Sequence, residues 1–281
     1  MPHRRTTITI RLAALLIPLA IGAGCATTTR HTRGTALRVM TYNIRSGNGN
    51  LDGTAAAIRA SAPDVVGLQE VDVHWAERSG FADQAAGLAE RLGMHVRFAR
   101  IYRLAGTSDT QPPREFGVAL LSRYPIVRSR NDTLTRLSTQ EASPMPTPMP
   151  GLLEATIDVH GTPVRVFDTH LDYRRDPSVR ARQVREMLAY VGESAVPTIV
   201  LGDMNATPDA PELQPLLRRL HDAWAGAAGP GDTYPAEAPS KRIDYVLVSG
   251  RFHVRAAAVP ATDASDHRPV VVDVVVEGGG T

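Results

Sequence analysis

From residue 37 onward, apolar residues gather into short runs separated by polar turns, and the runs follow two periods. Runs at 37–44, 64–69, 95–102, 117–122, 152–159, 163–170 and 198–201 have the length and apolar character of buried strands, as do 243–248, 254–259 and 270–276. Residues 51–60 read as a short helix. Residues 81–92 have helical spacing, with Ala85, Leu88, Ala89 and Leu92 on one face. Residues 177–190 start on a proline and carry Val184, Met187, Leu188 and, just beyond, Val191 in register, which predicts a third helix. A fourth is expected at 211–220. The stretch 138–150 carries Pro144, Pro146, Pro148 and Pro150 in alternation, which disfavours helix or central strand and predicts an exposed loop. A second loop, 225–240, is rich in Gly, Ala and Pro.

Strands outnumber helices, and several strand pairs are joined by short turns. The expected fold is therefore α/β, with two packed and largely antiparallel sheets and helices outside them. No internal repeat divides the pattern, and one domain over residues 37–281 is expected. A chain of 281 residues with 43% hydrophobic and 21% charged residues can bury a substantial core and is not a disordered polymer.

The amino-terminal segment has a different pattern. A basic stretch ending at Arg11 precedes an apolar run, 12–23, too short for a stable membrane span. Gly22-Ala23-Gly24-Cys25 and a polar run of Ala and Thr follow. Residues 1–24 read as a signal peptide. Small residues before Cys25 resemble a bacterial lipoprotein cleavage site, at which Cys25 would be lipidated, although Gly22 stands where Leu is usual. An ordinary cleaved signal peptide with an incidental cysteine is the other reading. Either implies export; the first adds membrane attachment through a tether, 25–36, whose residues 26–36 would reach roughly 18 Å as a flexible coil. Cys25 is the chain's one cysteine, so neither a disulfide nor a cysteine-based site is expected in the folded domain.

Charge narrows the substrates. The formal +2 includes three arginines within residues 1–24; the remainder carries 28 basic against 29 acidic residues, a balance of −1. A duplex-DNA binder draws affinity from a basic excess, so nucleic acid is a disfavoured partner.

Polar residues repeatedly close the apolar strands. Asn43, Glu70, His170 and the pair Asp203 and Asn205 end four of them, Asp244 lies in a fifth, and Asp266-His267 precedes the last. Each alone has an ordinary explanation: Asn43 as a turn former, Glu70 facing water, Asp244 as a buried acid satisfied by Arg242. Asp203 and Asn205 are two apart and project to one side of an extended chain. Converging strand ends would make a pocket lined by carboxylates, carboxamides and imidazoles.

In this order and with these neighbours, the set resembles the endonuclease/exonuclease/phosphatase superfamily of the DNase I type. The resemblance rests on Thr41-Tyr42-Asn43-Ile44, Leu68-Gln69-Glu70, Thr169-His170-Leu171-Asp172, Gly202-Asp203-Met204-Asn205 and Ser265-Asp266-His267, with residues 117–126 and 242–245 as secondary motifs. It implies a four-layer sandwich of two central, mostly antiparallel sheets flanked by helices, and a Mg²⁺-dependent hydrolase of phosphate esters, with Mn²⁺ able to substitute. On that resemblance Glu70 would be the principal metal ligand, with Asn43 beside it and Asp266 helping through water. Asp203 would orient and deprotonate water, and Asn205 would hold the nucleophile or a phosphate oxygen. His267, oriented by Asp244, would stabilise phosphoryl charge, and His170 would bind phosphate or assist the leaving group. Arg123, Asp172 and Arg180 are candidate substrate contacts. One departure is Met149-Pro150, where many relatives carry a basic residue. A phosphoesterase acting on a lipid or phosphosugar head group is the leading expectation. An exported nuclease and an inactive phosphate-ligand-binding lipoprotein are the alternatives.

Overall fold

The computed structural model describes residues 1–3 and 34–277; the rest of the leader, Cys25 and most of the expected tether lie outside the described residues. Among the described residues, twelve strands form two six-stranded sheets. The first contains β1 (Thr35–Asn43), β2 (Val65–Val73), β3 (His95–Leu104), β4 (Arg114–Ser122), β11 (Phe252–Ala258) and β12 (Val270–Val276), in the order β11-β12-β1-β2-β4-β3. The second contains β5 (Ile126–Arg136), β6 (Thr147–Val159), β7 (Thr162–His170), β8 (Thr198–Asp203), β9 (His221–Asp222) and β10 (Asp244–Val248), in the order β5-β6-β7-β8-β10-β9. All neighbours are antiparallel except β1 with β2 and β7 with β8. Helices α1 (Leu51–Ser61) and α2 (Gln84–Leu92) lie on the first sheet, α3 (Ser178–Val191) and α4 (Gln214–Arg219) on the second. This is the four-layer arrangement expected.

Three apolar layers hold it together. Ala55, Ile58, Leu88 and Ala89 pack on the outer face of the first sheet, and Val184, Met187 and Leu216 on that of the second. Between the sheets lie Leu37 and Val39 of β1, Val164 and Val166 of β7, Ile199 and Leu201 of β8, and Val246 and Val248 of β10. Strand alternation carries these inward-facing series on to Thr41 and Asn43, Asp168 and His170, Asp203, and Asp244. The middle layer is therefore apolar at one end and polar at the other. Gln69, donating to Asp168 at 2.6 Å, marks the transition. Burial pushes the Asp168 carboxyl well above the usual range, against the hydrogen bonds from Gln69 and the Leu68 and Thr169 backbone.

Several expectations need correction. Thr35 and Ala36, assigned to the tether, begin β1 and pair with Val276 and Val275. Helix α2 starts at Gln84 rather than residue 81, because the Asp83 carboxylate accepts from the Ala86 N–H and caps it there. Helix α4 is shorter than 211–220. Strand β5 was not expected: its middle is polar and exposed. The proline-rich stretch is not all loop either, since residues 147–150 belong to β6 and pair with 133–136 of β5. Alternate residues send their N–H groups to one edge, so Pro148 and Pro150 lack donors on the same side, and over this stretch β6 pairs with β5 alone.

Candidate active site

Register assembles the site. His170 pairs with Asp203 across β7 and β8, and Asp203 pairs with Asp244 across β8 and β10, so the three sit in one row on the inner face of the second sheet. Asn43 ends β1 opposite, and its Nδ2 donates to Asp203 Oδ2 and to Glu70 Oε1, both at 3.1 Å. Glu70 reaches the inner side through a β-bulge: one extra residue lies between Leu68 and Val71, and Glu70 takes φ +55°. A bulge re-aims a side chain that strict alternation would send outward. Gly202, at φ +152°, precedes Asp203; a side chain there would stand 2.3 Å from the Thr169 carbonyl oxygen, so β7 and β8 could not approach this closely.

Asp203 is buried and contacts Asn43, Asn205 and both imidazoles. The Asn205 backbone N–H donates to its Oδ1 at 2.9 Å, and its Oδ2 lies 3.5 Å from His170 Nε2 and 3.7 Å from His267 Nε2. Asn205 itself sits at φ +50°, a left-handed conformation asparagine tolerates, and its Nδ2 donates to the Leu171 carbonyl at 3.0 Å. His267 Nδ1–H donates to Asp244 Oδ2 at 2.9 Å, and the Thr233 hydroxyl donates to the same oxygen. The alternative partner for Asp244 fails, because Arg242 pairs with Asp222 at 2.6 Å.

Burial pushes the Asp203 carboxyl up, and the neighbouring Asp244 charge adds to this against the pull of His170 and His267. For His267, burial opposes the cation, but the charge and hydrogen bond of Asp244, then Asp203 and Asp266, outweigh it and raise the imidazole to about 9. His267 is therefore a cation at neutral pH, lying between the buried side chains of Asp244 and Asp203.

Asp203, Asp244 and His267 could bring ligand atoms within 4.8 Å of one another. Their chemistry is wrong for a hard cation: His267 Nδ1 is committed to Asp244 and the ring holds its proton. Glu70 with Asp266 is the better donor set, all oxygen and half-buried at the cleft, as Mg²⁺ requires when it keeps several waters. Asn43 presents its nitrogen rather than its oxygen to the carboxylates, and its Oδ1 accepts from the Arg45 N–H at 3.0 Å. It orients Glu70 here rather than offering a ligand oxygen.

The cleft, about 370 Å³, is lined by Glu70, His170, Asp203, Asn205, Asp266 and His267, with Tyr173, Tyr234 and Lys241 at its walls. The last three were not singled out from sequence. Tyr234 packs its ring 4.8 Å from that of His267, and Lys241 is the chain's single lysine. The only sequence signal for Lys241 was its rarity.

The three proposed substrate contacts lie elsewhere or are engaged. Arg123 follows Ser122, which pairs with Val65 at the start of β2, roughly 16 Å of strand from Glu70. It is at the opposite end of the sandwich. Arg180 is buried, pairs with Glu212 at 2.7 Å and donates to the carbonyls of Asp172 and Arg174, which makes it a bracket for that loop. Asp172 is buried against Arg174 at 2.5 Å. Arg268 donates to the Ala236 carbonyl. Beside Met149-Pro150 the neighbouring strand places a buried arginine, Arg136 of β5, which donates to the carbonyls of Pro150, Gly151 and His170.

The model of the Endonuclease/Exonuclease/phosphatase family matches residues 40–267, from β1 to His267. The chain belongs to this family. As a family member it is a hydrolase of phosphate ester bonds, of a kind typically dependent on a divalent metal. Among solved structures it is similar to an endonuclease/exonuclease/phosphatase from Beutenbergia cavernae, with 29% identity over 86% of this chain and 72% of that one and a TM-score of 0.70. A mannosyl-6-phosphatase from Bacteroides thetaiotaomicron shares 19% identity over 85% and 99%, with a TM-score of 0.63. Sphingomyelinase C from Streptomyces griseocarneus shares 21% over 85% and 99%, with a TM-score of 0.59. No curated protein sequence matches.

Proposed function

We propose that this chain is an exported, Mg²⁺-dependent phosphoesterase that uses water to cleave a phosphodiester or phosphomonoester bearing a lipid or phosphosugar head group. The observation that carries the reading is the position of Asp203: buried, fixed by the Asn205 N–H, and in reach of both imidazoles. A carboxylate whose proton affinity is raised is a better general base near neutral pH, a role generally worth about 10²–10⁴ in rate. The lone pairs of Asn205 Oδ1 remain for the water's second hydrogen, since Nδ2 is directed to Leu171.

His267 carries the complementary charge. Its Nε2–H, held by Asp244 through the other ring nitrogen, stabilises the phosphoryl oxygens as negative charge accumulates. His170 stands beside Asp203, its Nε2 3.5 Å from Oδ2, and would bind phosphate or assist the leaving group. Glu70, with Asp266 through water, would hold Mg²⁺, which supplies charge neutralisation at the phosphoryl group when bound. Head groups are favoured over nucleic acid by the charge balance outside the leader and by the lipoprotein-like cleavage site. Names among the structural relatives are compatible with either head group.

The test is hydrolysis of a phosphomonoester, a small phosphodiester, a dispersed phospholipid and plasmid DNA by the purified chain, with and without Mg²⁺. Metal-dependent turnover of one head-group ester that falls about 10²–10³-fold in His267→Ala is expected. Undiminished turnover in that variant would sink the mechanism, and activity confined to DNA would sink the substrate class.

A further inference from the structure

The turn that leaves β1 is held in an unusual conformation. Arg45, Ser46, Gly47, Asn48 and Gly49 take φ of +44°, +54°, +68°, +45° and +73°, so five left-handed residues follow one another. Only glycine adopts this conformation freely, because a Cβ crowds the following carbonyl oxygen. Two backbone bonds close the turn, from the Gly47 N–H to the Ile44 carbonyl at 2.8 Å and from the Asn50 N–H to the Gly47 carbonyl at 2.7 Å. The rest of the hold comes from a cluster behind it. The Ser46 hydroxyl donates to Asp72 Oδ1 at 3.1 Å, and the Ser46 carbonyl accepts from Gln84 Nε2 at 2.6 Å. Gln84 Oε1 in turn accepts from the Asp72 N–H at 3.0 Å, and Arg78 donates to both Asp72 oxygens at 3.0 and 2.9 Å. Ser46, Asp72 and Gln84 are buried, and none of the three lines the catalytic cleft.

What this cluster steadies lies one residue back. The Arg45 N–H donates to Asn43 Oδ1 at 3.0 Å, which leaves Nδ2 to hold Glu70 Oε1 and Asp203 Oδ2. The Arg45 guanidinium is exposed and 3.6 Å from Asp266, a contact that water screens, so it does not anchor the turn. Ser46, tied at its hydroxyl and its carbonyl, is the fixed point from which the Arg45 N–H is aimed. Partners that orient a metal-binding side chain typically contribute about 10–100-fold to metal affinity. We propose that Ser46 is a positioning residue for the cation site: with Asp72 and Gln84 it steadies the Asn43 carboxamide, which presents Glu70 to the metal. The proposal rests on the reading of Glu70 as a metal ligand and extends it to a cluster outside the cleft.

Two substitutions separate position from stability. Ser46→Ala and Ser46→Gly both delete the tie to Asp72, but glycine accepts a φ of +54° without crowding. The thermal midpoint of Ser46→Gly should therefore lie nearer the parent's than that of Ser46→Ala. In the metal-free protein, the Asn43 side-chain amide protons are held by two carboxylates and should exchange slowly with water. NMR of ¹⁵N-labelled protein reads this exchange, the signals being assigned by their loss in Asn43→Ala. Both Ser46 variants should exchange these protons at least several-fold faster. Mn²⁺ titration followed by electron paramagnetic resonance should show a dissociation constant raised about tenfold or more in both. Unchanged Asn43 exchange overturns the inference, as does unchanged Mn²⁺ affinity in a variant whose Asn43 is loosened. A loss of affinity that follows the thermal midpoint, present in the alanine variant and absent in the glycine one, also overturns it by making Ser46 merely structural. If the parent binds no Mn²⁺ while Asn43 loosens in both variants, the metal reading fails and the hold of Ser46 on Asn43 stands.

Discussion

His267 illustrates how far one residue's chemistry is set by its neighbour. Burial alone would lower its proton affinity, and the Asp244 carboxylate at 2.9 Å reverses the balance and holds the ring charged up to about pH 9. If the charged ring is the active form, activity should decline on the alkaline side near that value. Asp244→Asn removes the charge but keeps a side chain of similar shape, so burial prevails and the alkaline limb should move to lower pH. A pH profile of kcat/KM checks this; an unmoved limb would assign it to another group. The linked stability has the same sign: a raised imidazole contributes fully below about pH 6.5 and loses its contribution as pH rises through about 9. Asp203, His170 and His267 were legible because a titratable residue at the end of an apolar strand has few structural uses. Thr233, Tyr234 and Lys241 were not, since they lie in or beside a Gly-, Ala- and Pro-rich loop that reads as filler until β10 brings it against His267. Arg123 misled because a motif adjacent in sequence ends at the wrong end of its strand.

At the scale of elements, legibility follows hydrophobic contrast. Strands buried on both faces, such as β8 and β10, were visible as unbroken apolar runs. Strand β5 was not, because Arg128, Arg130 and Asp132 occupy its middle, with Arg130 pairing to Asp132 and Glu154 at the surface. The bulge in β2 leaves no trace in composition, although it delivers Glu70. Strand β5 still serves the site through its last residue. Arg136 is buried and, among the described residues, makes no ion pair within 4 Å; burial lowers its guanidinium to about 10 against the pull of Tyr102, Asp172 and Glu186, and three backbone carbonyls and the Thr169 hydroxyl accept its hydrogen bonds. One of those carbonyls belongs to His170. Arg136→Ala leaves these acceptors unpaired and opens a void, and should lower stability by about 2 kcal/mol or more. Arg136→Lys should recover only part of this, because an ammonium lacks the planar fork that reaches several acceptors. Urea unfolding midpoints decide the matter: an alanine variant as stable as the parent would show that Arg136 does not brace this corner.

For the whole molecule, the two sheets turn one alternating pattern into both a core and a site, with apolar residues at one end of the middle layer and polar ones at the other. Where that site works depends on the segment ahead of β1. Among the described residues no helix is long and apolar enough to cross a membrane, and the apolar run 12–23 is itself short of a stable span. On the export reading proposed above, a lipid on Cys25, behind its run of small residues, would hold the chain at a membrane. Because Cys25 is the only cysteine, replacing it disturbs no disulfide and no other thiol. In bacterial cells producing the full chain, the parent should fractionate with membranes, resist extraction by salt and be released by detergent, since acyl chains are held by apolar burial rather than charge. Cys25→Ser should move to the soluble exported fraction with unchanged specific activity on a water-soluble phosphate ester, because the proposed catalytic residues all lie from Asn43 onward. Loss of turnover only on membrane-embedded substrate would then tie the anchor to the head-group reading. A parent protein already soluble, or a serine variant that stays with the membrane, would make Cys25 incidental and leave an ordinary signal peptide as the better account of the leader.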